Sequence, residues 1–86
     1  MQYIKTEGAL PYNNYPYVGK DQACYADYGY IRVSSVINVN GDGVQSALNK
    51  KPVAVAVDAT NWNKYKSGVF NNCGTSLNHA VLLVGI

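Results

Sequence analysis

Charge is sparse in this sequence and never gathers. Asp, Glu, Lys and Arg make up 14% of 86 residues, and among the cations only Lys50 and Lys51 are adjacent. A net charge of +2 spread this thinly leaves no basic stripe for a phosphate backbone, so no nucleic-acid partner is expected. Long apolar runs are missing too. The one that follows His79 is a single strand in length, so no membrane partner is expected. Met1-Gln2-Tyr3-Ile4-Lys5 shows no charged stretch leading into an apolar one, so no leader is visible there. The chain has no Asn-x-Ser/Thr sequon, no internal repeat and no phosphate-cradling glycine motif, since Gly41 and Gly43 belong to a turn. Cys24, Asp58, Cys73 and His79 are potential metal ligands, but no pair has zinc-site spacing. Neither a metal nor a cofactor is expected.

What is present reads as a globular segment of one domain at most, with 48% hydrophobic residues. Met1–Thr6 reads as a helix end with Gly8 as its stop. From Ala9 to Tyr30 no period holds, but Tyr12, Tyr15, Tyr17, Tyr25, Tyr28 and Tyr30 crowd a stretch broken by Pro11 and Pro16. Those rings predict a loop pinned on a surface, the rings packed and the hydroxyls hydrogen-bonded. Ile31, Val33, Val36, Ile37 and Val39 predict a first strand broken at Ser34-Ser35. Asn40-Gly41-Asp42-Gly43 is turn chemistry, and Val44, Ala47 and Leu48 fall at helical spacing with Asp42 as the expected N-cap. Val53–Val57 is a short β-branched apolar run and predicts a strand buried on both faces. Thr60 is expected to cap a helical turn through Trp62 and Tyr65, Gly68 releases the chain, 71–78 is loop, and His79–Ile86 is the last strand. The two cysteines admit one disulfide in an oxidising compartment, or two small buried hydrophobes.

The only histidine stands where a polar loop becomes an apolar strand, a place where an imidazole can act as a general base partly open to substrate. Its surroundings, Leu77-Asn78-His79-Ala80-Val81-Leu82-Leu83-Val84-Gly85, closely resemble the histidine motif of papain-like cysteine proteases. Three further blocks resemble that family in the same order. These are Tyr15-Pro16-Tyr17 with Cys24, then Lys51–Ala59, then Lys64-Tyr65-Lys66-Ser67-Gly68-Val69-Phe70. Together the four blocks cover most of the chain.

The resemblance implies an α+β fold: a partial papain-like domain, mainly the first part of the β-rich right domain with an incomplete β-barrel. A helix end and the tyrosine-rich loop of the left domain would precede it. Residues 1–30 are then the tail of the helical left domain and 31–86 the partial right domain. It implies peptide-bond hydrolysis by a thiolate, with His79 as general base and acid, on a peptide or protein substrate. The matching substrate-binding positions are Ala56, Leu77, Asn78 and Ala80, whose apolar members imply a preference for Leu, Val or Phe over Arg. Asn78 stands where many relatives have Asp, which removes an acidic contact beside the imidazole. Asp58 reads as a strand-end hydrogen-bonder. By the same resemblance Cys24 and Cys73 pair with cysteines outside the chain, and the parent would be lysosomal, vacuolar or secreted.

The family's C-G-(S/A)-C-(W/Y) nucleophile block is absent, as is the Asn-Ser-Trp-Gly segment that orients the imidazole. The family spacing puts about 130–150 residues between nucleophile and histidine, and only 78 precede His79. The expectation is a segment that needs the missing N- and C-terminal segments of the parent enzyme. The alternative is a non-enzymatic binding or structural protein on the same scaffold, its nucleophile replaced.

Overall fold

The computed structural model describes residues 1–26 and 28–86 of the chain. They form two compact units, Met1–Asn38 and Val39–Ile86. Helices and a small antiparallel sheet give the expected α+β composition.

In the first unit, helix α1 spans Gln2–Thr6 and ends as expected: Glu7 is its C-cap, and Gly8 follows at φ 84°. That positive φ is left-handed backbone, which glycine adopts without a Cβ penalty. The last carbonyls of α1 find a side-chain partner, because the Arg32 guanidinium donates to the carbonyls of Lys5 and Thr6. A cation there also suits the negative end of the helix dipole. The segment after Tyr30 departs from expectation. Ile31 makes one isolated antiparallel bridge to Ala9, and among the described residues no strand runs through 31–39. Two flanking bonds, Ala9 N–H to the Ile31 carbonyl and Ile31 N–H to the Ala9 carbonyl, are all the pairing it has. A strand needs a neighbour along its whole length, and Val33 to Val39 have none among the described residues.

The tyrosines are not packed as expected either. Tyr12, Tyr17, Tyr25, Tyr28 and Tyr30 are exposed, Tyr17 at 82%, and only Tyr15 is half-buried. Tyr15 is held at both sides of its hydroxyl, which accepts from Tyr25 N–H at 2.9 Å and donates to the Ala23 carbonyl at 3.3 Å. Its ring leans on Tyr25, centroids 6.3 Å apart.

In the second unit a 3-10 turn over Gly41–Gly43 runs into helix α2, Val44–Leu48. The cap is Asn40, whose side-chain oxygen accepts from Gly43 N–H at 3.1 Å; Asp42, the expected cap, lies inside the turn. The added 3-10 turn moves the start of the helical run two residues upstream, and the cap moves with it. Strand β1, Val53–Val57, pairs antiparallel with β2, His79–Leu83, in the register Val57↔His79, Ala56↔Ala80 and Val55↔Val81. The last strand is thus shorter than its apolar run, ending before Val84. Nor is β1 buried on both faces: Val53, Val55 and Val57 are half-buried and Ala54 and Ala56 exposed. A sheet of two strands with nothing laid on its second face leaves alternate residues in water.

Candidate active site

The β1–β2 register fixes the surroundings of His79. It is the first residue of β2, opposite Val57, on the face that also carries Val55 and Val81. Alternation places Ala56 and Ala80 on the other face, directly across the ladder from each other. Asn78 N–H bonds to the Val57 carbonyl at 3.0 Å, which extends the ladder one step past the strand and steadies the histidine's backbone. His79 is exposed, and the edge of one ring meets the face of another between it and Trp62, at 5.5 Å between centroids and 89° between planes. Such edge-to-face pairs contribute about 0.5–1.5 kcal/mol beyond area burial and restrict ring rotation.

Trp62 is delivered by a 3-10 turn over Trp62–Lys64. Thr60, the expected cap, donates elsewhere: its hydroxyl and its N–H both reach Asp58 Oδ1, at 2.5 and 2.9 Å. The turn begins at Asn61 with no side-chain cap. Downstream, the Tyr65 hydroxyl donates to the Gly68 carbonyl at 2.6 Å, and the Tyr65 and Phe70 rings meet edge to face at 5.9 Å. Gly68, at φ 75°, turns the chain as expected. Trp62, Tyr65, Phe70 and Cys73 line a shallow apolar groove of about 510 Å³.

Asp58 is a strand-end hydrogen-bonder of wide reach. Besides Thr60 it accepts from Ser76 N–H at 2.9 Å and from Asn78 Nδ2 at 3.5 Å. Asn78 itself is turned toward this cluster. Its Oδ1 accepts from Ala59 N–H at 3.0 Å and its Nδ2 donates to the Thr60 hydroxyl at 3.0 Å. The Thr60 hydroxyl, then the Thr60 and Ser76 N–H groups, hold the Asp58 carboxyl below its ordinary value of 3.8, with slight burial opposing them. A depressed carboxyl contributes stability above its unfolded value and loses it as pH falls through the folded one. The contribution of this cluster is therefore present at neutral pH and is lost as pH falls through the lowered carboxyl value.

The structure thus brings His79, Asn78 and the β1 end together, pairs Ala56 with Ala80 on the opposite face, and leaves Leu77 exposed at 68%. Sequence reasoning missed Trp62 as the ring against His79, and Ser76 and Gly74 as neighbours of Asp58. Asp58-x-Thr60 was the available signal, since an Asp accepting from the residue two ahead is a recurrent local turn. Among the described residues no cluster of three metal-ligating side chains occurs.

The profile described as "Papain family cysteine protease" matches residues 1–86. The chain belongs to the papain family of cysteine proteases. Curated relatives agree. "Putative cathepsin L 3" of Paramecium tetraurelia is 37% identical over 99% of this chain and 29% of its own length. "Stem bromelain" of Ananas comosus is 41% identical over 95% of the chain and 42% of its own length. "Papaya proteinase 4" of Carica papaya is 33% identical over 99% and 27%. This papain-family chain therefore spans less than half the length of each of these relatives.

Cys24 and Cys73 of the papain-family chain are exposed and not bonded to each other. Cys24 donates its Sγ–H to the Ala26 carbonyl at 3.1 Å. In the purified 86-residue chain, kept free of oxidant, titration with a thiol reagent is expected to give two equivalents without denaturant. One equivalent or fewer, with an intramolecular Cys24–Cys73 peptide on mapping, would show a different connectivity.

Proposed function

We propose that this chain supplies the catalytic imidazole of a papain-like cysteine endopeptidase, with His79 as general base and acid. The observation that carries the reading is the placement of His79: exposed, at the mouth of β2, held on one side by Trp62, in a chain that matches the family along its length. The imidazole takes the proton of a thiol, pairs with the thiolate as imidazolium, and returns the proton to the leaving amine. Neither Cys24 nor Cys73 lies in the family's nucleophile block, so the attacking thiol and the orienting Asn come from residues outside 1–86. In this reading residues 1–30 belong to the helical left domain and 31–86 to the partial barrel. Cys24 and Cys73 pair with cysteines beyond the segment. By family resemblance the parent works in a lysosome, in a vacuole or outside the cell.

The substrate is a peptide or protein. Leu77, Ala56 and Ala80 offer it apolar surface, and an arginine side chain lodged there would lack a partner for its charge. Because Ala56 and Ala80 face away from His79, a peptide touching all three passes over the end of the ladder. Reconstitution tests the proposal. The reduced 86-residue chain alone should not turn over a dipeptidyl fluorogenic substrate, and should do so once combined with family segments carrying the thiol and the Asn. Turnover by the chain alone, blocked by a thiol alkylator, would contradict the assignment of the nucleophile. A folded reconstituted complex with no turnover would favour a non-enzymatic scaffold.

A further inference from the structure

The loop that delivers His79 has no regular structure of its own. Residues 71–78 form neither helix nor strand, and all eight are exposed, so its path depends on a few ties. Three of them gather at the end of β1: Ser76 N–H on Asp58 Oδ2, Asn78 Nδ2 on Asp58 Oδ1, and Ala59 N–H on Asn78 Oδ1. Asp58 is in turn fixed by both donors of Thr60. The fit is close enough to constrain sequence. A Cβ at Gly74 would stand 2.5 Å from Asp58 Oδ2, although the Gly74 backbone itself is not in the left-handed region. A side chain here has to displace the end of the Asp58 carboxylate.

We propose that Asp58 is a positioning residue for His79. Its carboxylate clasps the 74–78 segment to the end of β1 and so sets where the imidazole leaves β2. The proposal rests on His79 being the catalytic imidazole. A carboxylate suits this work because it accepts several hydrogen bonds at once, each strengthened by its charge. An alanine leaves Ser76 N–H without its partner and frees Asn78 to rotate. Misplacement of a catalytic group by about 1 Å costs on the order of 100-fold in rate. A clasp of this kind therefore acts on kcat, while substrate affinity is set elsewhere.

The test uses the protease that carries this segment, with variants Asp58→Ala, Gly74→Ala, the double variant, and His79→Ala. Turnover is expressed per active site titrated with an irreversible thiol-directed inhibitor, which removes the effect of any unfolded fraction. Asp58→Ala is expected to lower kcat about 10–100-fold with KM within about twofold. Gly74→Ala keeps the carboxylate but occupies its place, and should reproduce most of that loss. The double variant should be no worse than Asp58→Ala alone, the non-additivity of two changes acting on one contact. If Asp58→Ala gives no titratable sites, Gly74→Ala carries the test. Unchanged kcat per site in whichever of the two single variants folds overturns the clasp while His79→Ala is inactive, and so do losses that multiply in the double variant. Full turnover by His79→Ala would instead overturn the assignment of the imidazole, and the clasp with it.

Discussion

Replacing His79 by alanine in a protease assembled around this segment is expected to lower kcat/KM by about 10³–10⁴-fold. Positioned acid–base groups supply about 10²–10⁴ of a rate, and in the proposed role His79 performs two proton transfers in each cycle. In that role it would also hold the thiolate. A free cysteine has a pKa near 8.5, so at pH 6 only about 0.3% of an unpaired thiol is ionised. The shape of the alkylation profile is the sharper measurement. With His79 present, the rate of thiol alkylation should stay nearly level from mildly acidic pH to pH 8. Without it, the rate should climb roughly tenfold per pH unit until the thiol's own ionisation is complete. Activity within tenfold of the parent, or an unchanged alkylation profile, would remove His79 from the mechanism. Leu77 and Ala80, its neighbours in the motif, carry no proton and should leave that profile alone when changed to other small apolar residues.

The second large effect concerns the chain by itself. The described residues expose 7425 Å². A compact monomer of 9.3 kDa exposes about 5,000 Å² by the usual mass scaling. No hydrophobic side chain among the described residues is fully buried; the buried positions are Gly8 and Gly29. Net stability is a small difference between burial and conformational entropy, and here the burial side is short. The excess surface, roughly 2,400 Å², is of the size that obligate interfaces cover. The 86-residue chain alone is therefore expected to associate, or to melt broadly without a cooperative transition. Adding the flanking family segments should give a single sharp transition. Light scattering and thermal unfolding followed by circular dichroism decide it. A monodisperse monomer with a sharp, reversible melt would mean that the segment closes its own core.

Local chemistry was the most legible part of the sequence. Gly8 after a helix end, Gly68 after a turn, and the apolar runs at 53 and 79 are each specified within a few residues, and each forms where expected save that the last strand stops at Leu83. What failed depended on partners. Ile31 to Val39 has the composition of a strand, but composition supplies no neighbour, and only the Ile31 bridge forms. The alternation within β1 likewise reflects what lies on each face, which Val-Ala-Val-Ala-Val does not encode. In the sequence His79 stood out because it lies in one of four blocks that resemble the family in order. Its supports were not, since Asp58, Gly74 and Ser76 meet only after the ladder brings 57 beside 79. Asn78 shows the cost of reading a neighbour in sequence as a neighbour in space. It adjoins the imidazole along the chain, yet its side chain serves Asp58, Ala59 and Thr60.

The ladder and the Asp58 cluster close the connection 58–78 at its root, and that has a consequence for how such chains can vary. With both ends of the excursion fastened, a change of length between Lys66 and Asn72 is expected to disturb the Tyr65 contacts with Gly68 and Phe70 but not the pairing of Val57 with His79. Each doubling of a flexible loop costs only about 0.6 kcal/mol in closure entropy. This stretch holds Val69, 95% exposed, and lies outside both the Trp62 contact and the Asp58 cluster. Segments of different length and chemistry spliced in there would alter what surrounds the Trp62–Cys73 groove while leaving the pairing of Val57 with His79 as it was.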